Sequence, residues 1–106
     1  MASEIRRTEN EFILQKRNEM IAKKVVQIAP GDAGKDVDLL FMCECSDLNC
    51  GEKIKVQVEE YQRVTKFEGQ FLVYPLHEQL DIESVIGMSE LYTIVEKRKD
   101  LVKAAA

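Results

Sequence analysis

The chain has 106 residues, with 15 basic and 19 acidic side chains, 45% hydrophobic residues, five glycines and two prolines. That suffices for one domain with a modest core and is too little for two. A charged fraction of 32% beside ordinary apolar content excludes a disordered tail, and no run approaches the roughly 18–20 apolar residues of a membrane span. The opening residues, through Arg6 and Arg7, lead into polar sequence rather than an apolar export segment. A net charge of −4 exerts no general pull on nucleic acid.

Three segments follow in chain order: a helix over 1–28, an α+β body over 36–98 and a tail over 99–106, all within a single domain. From Ser3 to Ile28 there is no glycine or proline, and Glu, Lys, Arg, Asn and Gln abound, which predicts a helix with Ser3 as its N-cap. Leu14, Ile21 and Ile28 recur at sevens with Val25 between the last two, and Ile13 and Met20 flank this amphipathic stripe. Asn18 falls in the slot between Leu14 and Ile21, where it would mark register if the helix paired with a second copy. Residues 1–26 carry six basic and four acidic side chains, leaving nine and fifteen for the rest. The helix is therefore mildly basic on an acidic body, and is the expected contact surface for a protein partner.

Ala29 to Lys35 are turn formers and read as a linker. Alternation then begins: Val37, Leu39, Phe41, Cys43 and Cys45 share one face, with Asp38, Leu40, Met42 and Glu44 on the other. Ser46 to Gly51 is a turn, and Ile54, Val56 and Val58 alternate with Lys53, Lys55 and Gln57 in a second strand, completing an antiparallel hairpin. A short helix is predicted over Val58–Phe67, with Glu59 and Glu60 at its start, Arg63 and Lys66 near its end, and Gly69 just beyond. Its expected apolar edge is Tyr61, Val64 and Phe67. Phe71–Tyr74 reads as a strand closed by Pro75, and Ser84–Met88 with Leu91–Glu96 as a last hairpin. The tail is expected to fray. The fold class is α+β: an N-terminal amphipathic helix, then a small, mostly antiparallel sheet with one inserted helix.

The three cysteines are an odd number packed into eight positions, unlike the even, dispersed set of a disulfide-stapled secreted protein. Such grouping suits a reducing compartment, so the expected location is the cytoplasm. In Cys43-x-Cys45-x4-Cys50 the first two side chains leave the same face of a strand and can address one point, while a disulfide between them would be strained. Ser46, Asp47, Leu48 and Asn49 turn readily and can return Cys50 to that point, with Gly51 allowing close backbone approach. Three soft sulfurs select zinc over hard cations, and structural zinc takes four ligands. The chain has one histidine, His77, in Pro75-Leu76-His77-Glu78, which makes it the expected fourth ligand. Four protein ligands leave no open position, so the site would be structural, with Lys53 or Lys55 offsetting its charge. In that register Cys45→Ser should destabilise strongly and Glu44→Gln little.

Other readings of the same residues stay open. Cysteines are often small buried hydrophobes, and a lone histidine after a strand is often a surface residue. Clustered thiolates beside lysines are also oxidisable, as in a zinc-thiolate redox sensor.

The chain resembles a family of small uncharacterised bacterial proteins, common in actinobacteria. The resemblance runs through Asn10-Glu11, Arg17-Asn18-Glu19-Met20-Ile21, Phe41-Met42-Cys43-Glu44-Cys45, Cys50, Val56, Glu60-Tyr61, Val64, Phe71-Leu72-Val73, Pro75, His77-Glu78 and Val95-Glu96-Lys97. It implies metal binding by Cys43, Cys45, Cys50 and His77, and assigns no biochemical activity. Members carry Gly where Leu76 stands and Thr where Gln57 stands.

An enzyme is not expected. The His-x-Glu and Pro-Cys-x-x-Cys pair of a zinc deaminase is missing, as are glycine-rich phosphate loops. With His77 on metal, no imidazole remains for a nucleophile and base pair. A nucleic-acid-binding regulator is the rival reading, using Arg6, Arg7, Lys16, Arg17, Lys23 and Lys24 of the helix. Glu4, Glu9, Glu11 and Glu19 dilute that patch.

Overall fold

The computed structural model describes residues 2–28 and 38–105; the expected linker Ala29–Lys35 and the first expected strand residue, Val37, lie outside them, as does the side chain of Ile28. Helix α1 spans Ala2–Ile28. Strands β1 (Asp38–Met42) and β2 (Lys53–Gln57) follow, then helix α2 (Val58–Val64) and strand β3 (Gln70–Val73). Strands β4 (Glu83–Met88) and β5 (Thr93–Lys97) lead to helix α3 (Lys99–Ala105). The class is the α+β expected from the sequence, with a helix inserted between antiparallel strands. Among the described residues no helix is long and apolar enough to cross a membrane.

The β1–β2 hairpin pairs Asp38 with Gln57 through to Met42 with Lys53, as alternation in both strands requires. β3, β5 and β4 form a second antiparallel sheet with β5 at its centre. One backbone bond, from the Glu44 N–H to the Leu72 carbonyl (2.9 Å), carries the chain beyond β1 onto the outer edge of β3. The segment holding Cys43 and Cys45 is thereby the seam between the two sheets. Phe41 stacks on Tyr61 with centroids 4.2 Å apart, and Phe12 meets Phe71 edge-on at 5.2 Å, so hairpin, α2, β3 and α1 share one core.

Three expectations need correction. The 99–106 tail does not fray over its described length: Lys99–Ala105 is helical, buries Leu101 and packs on α1. Helix α2 ends at Val64 rather than Phe67: the backbone of Thr65 leaves helical geometry (φ −109°, ψ 16°) while its hydroxyl donates to the Tyr61 carbonyl (2.7 Å), and Phe67 is 62% exposed instead of lying on an apolar edge. The buried face of α1 is not the apolar stripe alone. Thr8, Glu11, Gln15 and Asn18 are buried beside Leu14 and Ala22, whereas Ile13 and Met20 are exposed. Asn18 is fully enclosed in its own fold and is not available as a register mark for a helix pair.

Helix α2 begins at Gln57, whose backbone is extended (φ −71°, ψ 148°) but whose side chain makes no capping bond. Thr at this position, as in the resembled family, would supply a hydroxyl to the first turn. Gln57→Thr should raise stability by about 0.5–1 kcal/mol in chemical denaturation, with an unchanged denaturant slope.

Candidate metal centre

Cys43, Cys45, Cys50 and His77 converge, with their ligand atoms all within 4.8 Å of one another. Cys43 and Cys45 are buried, and Cys50 and His77 half-buried. The Nδ1 of His77 lies 3.5 Å from the Cys43 sulfur and 3.4 Å from the Cys50 sulfur. All three cysteines are free thiols. Such a group can hold a metal ion.

Local backbone geometry sets each sulfur. Cys45 and Cys50 are each followed by a residue with positive φ, Ser46 at 76° and Gly51 at 76°. That turn swings the N–H of the next residue back, so Asp47 donates to the Cys45 sulfur and Glu52 to the Cys50 sulfur. The third sulfur, Cys43, receives the Tyr74 N–H at 3.0 Å. Each sulfur thus has one backbone donor, the arrangement that stabilises negative charge on it. Lys53 and Lys55, expected to offset the charge of the site, are both exposed. A cleft of about 100 Å³, lined by Leu14, Arg17 and Lys53 among others, reaches Cys43 and Cys50.

The three thiols compete for charge. Cys45 falls to about 5, because the Cys43 thiol donates to it, with further help from the Asp47 N–H, His77 and Cys50. Cys43 is pushed well above the ordinary thiol range by that same bond to Cys45 and by burial. Cys50 is also raised, chiefly by burial. The cluster alone therefore favours one thiolate. Ionising all three needs a cation among them.

The turn that delivers His77 is Tyr74-Pro75-Leu76-His77, closed by the His77 N–H on the Tyr74 carbonyl (2.9 Å). Leu76 has φ 73° and is 87% exposed. Proline second and positive φ third is the pattern of a type II turn, which favours glycine where leucine stands here. Because Leu76 buries little, Leu76→Gly should stabilise the fold by about 1 kcal/mol and leave the cluster intact; thermal unfolding of the two proteins measures it.

Sequence reasoning missed the shell that holds the cluster. Asn18 on α1 binds both backbone groups of Met42, accepting its N–H and donating to its carbonyl at 2.8 Å each, and so caps the outer edge of β1. Asn10 donates to the Ser46 carbonyl at 3.1 Å. Gln79 donates to the Cys45 carbonyl at 2.6 Å and the Ser46 hydroxyl at 2.7 Å, and itself accepts from Arg7 at 3.1 Å. Helix α1 therefore grips the cysteine strand at both ends. The signal in the sequence is the repeated Asn-Glu pair, Asn10-Glu11 and Asn18-Glu19, eight residues apart.

Glu44 corrects a further expectation. It leaves the strand on the face opposite the sulfurs, as alternation requires, yet it is fully buried. Its carboxylate accepts from Asn18 (2.8 Å), the Tyr61 hydroxyl (2.5 Å) and the Leu72 N–H (2.9 Å). Little effect of Glu44→Gln is therefore no longer the expectation, because this side chain joins α1, α2 and β3 behind the cluster. Burial lifts its pKa to about 7, against the lowering effect of those three donors.

No protein-family model, curated protein or solved structure matches this chain.

Proposed function

We propose that this chain is a small, non-catalytic, cytoplasmic zinc-binding protein in which Cys43, Cys45, Cys50 and His77 hold one structural zinc ion. The observation that carries this reading is a pair of distances. Zinc bonded tetrahedrally at ~2.3 Å to sulfur and ~2.0–2.1 Å to nitrogen sets those atoms about 3.5 Å apart. His77 Nδ1 lies 3.5 and 3.4 Å from two of the sulfurs. Sulfur-rich donors favour zinc among the divalent ions, and four protein ligands leave no position for substrate or water. The resemblance described above points the same way.

The zinc would fasten the β1–β2 loop to the turn after β3, and the rigid body so formed would serve as an interaction module for a protein partner through α1. Support for that surface is the exposure of Ile13 and Met20 among the exposed Lys16, Arg17, Lys23 and Lys24. Protein purified without added metal should carry about one zinc per chain by elemental analysis. A folded, metal-free protein would refute the reading. His77→Ala should keep the three sulfurs but weaken zinc retention by roughly 100-fold or more in a chelator competition, since losing a ligand exceeds the 10–100-fold cost of losing its support. Binding to nucleic acid that falls steeply with salt would replace the protein partner with a nucleic acid.

A further inference from the structure

We propose that Lys97 and Glu11 condense, with loss of one water, into a buried amide that cross-links β5 to α1, with Glu83 as the proton acceptor. The site is independent of the metal centre. The Lys97 Nζ lies between Oε1 of Glu11 and Oε1 of Glu83, donating to both, and the three side chains are at most 1% exposed. The Phe71 ring faces the amine, its centroid 5.8 Å away. An amine and two carboxyl groups are thus held in contact in a place from which water is excluded.

The two carboxyl groups are not equivalent, and their difference assigns the roles. Glu83 is fixed by its second oxygen, which accepts the Gln79 N–H at 2.8 Å. Glu11 has a second oxygen, Oε2, that is buried without a hydrogen-bond partner. No hydrogen bond to that oxygen has to be broken when it departs as water. Burial, then the charge of Glu83, pushes the Glu11 pKa up to about 9, so at neutral pH Glu11 is a carboxylic acid, whose carbon an amine can attack, rather than a carboxylate.

The step balances without any co-reactant. The trio starts as an ammonium, a carboxylate on Glu83 and an acid on Glu11. One proton passes from Lys97 to Glu83. The freed nitrogen lone pair forms a bond to the Glu11 carboxyl carbon, and the bond from that carbon to Oε2 breaks. A second nitrogen proton joins the departing hydroxyl to make water. The amide keeps one N–H, and Glu83 ends as a neutral acid. Net charge is zero before and after, and a buried ion pair with its desolvation cost is exchanged for neutral groups. Contact between the reacting groups replaces an encounter in solution, where effective concentrations of roughly 10⁵ M and above arise for well-aligned partners.

The test is the intact mass of the full wild-type chain, purified, incubated folded at pH 7, then denatured, reduced and stripped of metal. The expected mass is lower than that of the sequence by one water. Digestion should release a branched peptide joining the residue 11 and residue 97 segments, with no cleavage after Lys97. Lys97→Arg should show the full mass. A wild-type chain of full mass overturns the proposal, and so does a water loss that maps elsewhere, such as a succinimide at Asp47.

Discussion

Cys45→Ser is expected to abolish stoichiometric zinc binding and lower stability by about 3 kcal/mol or more. Structural zinc contributes roughly 10–16 kcal/mol of apparent binding free energy at neutral pH, so one ligand in four is worth about a quarter of it. The serine hydroxyl does not ionise near neutrality, whereas the Cys45 thiol is the one of the three that ionises most readily. The loss should reach beyond the loop, because the Cys45 backbone is also a tie point: its carbonyl accepts from Gln79, and the next residue accepts from Asn10 on α1. Amide exchange should accelerate in α1 and in the 71–77 segment together. Wild-type protein stripped of zinc by a chelator should match the variant. If Cys45→Ser kept its zinc and its melting temperature, the ligand set would be wrong.

Glu44→Gln is the second large effect, expected at about 2–3 kcal/mol although the change is nearly isosteric. Three donors converge on this carboxyl group; as an acid it can turn its single proton to the Tyr61 oxygen and still accept from Asn18 and Leu72, whereas an amide presents an N–H₂ group to at least one donor, leaving a buried polar atom unpaired at ~1–3 kcal/mol. The result has a pH signature. An acid whose pKa rises on folding, from 4.5 to about 7 for Glu44, binds its proton more tightly in the folded state. Its contribution is therefore fully present below pH 4.5 and is lost as pH climbs through 7. The stability difference between wild type and Glu44→Gln should shrink across that window and then level off. Denaturant titrations of the two proteins at several pH values, each with zinc saturating, would check it; a difference independent of pH would place the cost elsewhere than in this carboxyl.

Much of the architecture is legible in the residue pattern. Alternation in Phe41, Cys43 and Cys45 against Ile54 and Val56 specifies the hairpin, and the structure pairs Phe41 with Ile54 and Leu39 with Val56. The convergence of Cys43, Cys45, Cys50 and His77 follows from strand periodicity plus a single histidine after the next strand. What escaped notice is polar. Thr8, Glu11, Gln15, Asn18 and Ala22 recur at alternating steps of three and four, the spacing of a buried helical face, but a search for apolar residues passes over four of the five. They are buried because α1 covers ends and edges of strands, where backbone groups need partners: Gln15 donates to the Gln70 carbonyl as Asn18 does to that of Met42. Glu44 reads as solvent-facing in the sequence for a related reason. Alternation assigns a residue to a face and is silent on whether that face meets solvent. The tail was misjudged because its alanines invite fraying, while one residue, Leu101, supplies the anchor.

The position of β5 bears on the order in which the molecule assembles. It is the last of the described strands to be made, yet it lies between β3 and β4 and carries the lysine that joins Glu83 to Glu11, 86 residues upstream. During synthesis the hairpin and its three sulfurs emerge early, and His77 follows. The second sheet cannot close until residue 97 is free of the ribosome, and α1 lacks its deepest anchor until then. A nascent chain would thus gather its four candidate ligands on an unfinished platform, with native contacts between distant residues arriving last.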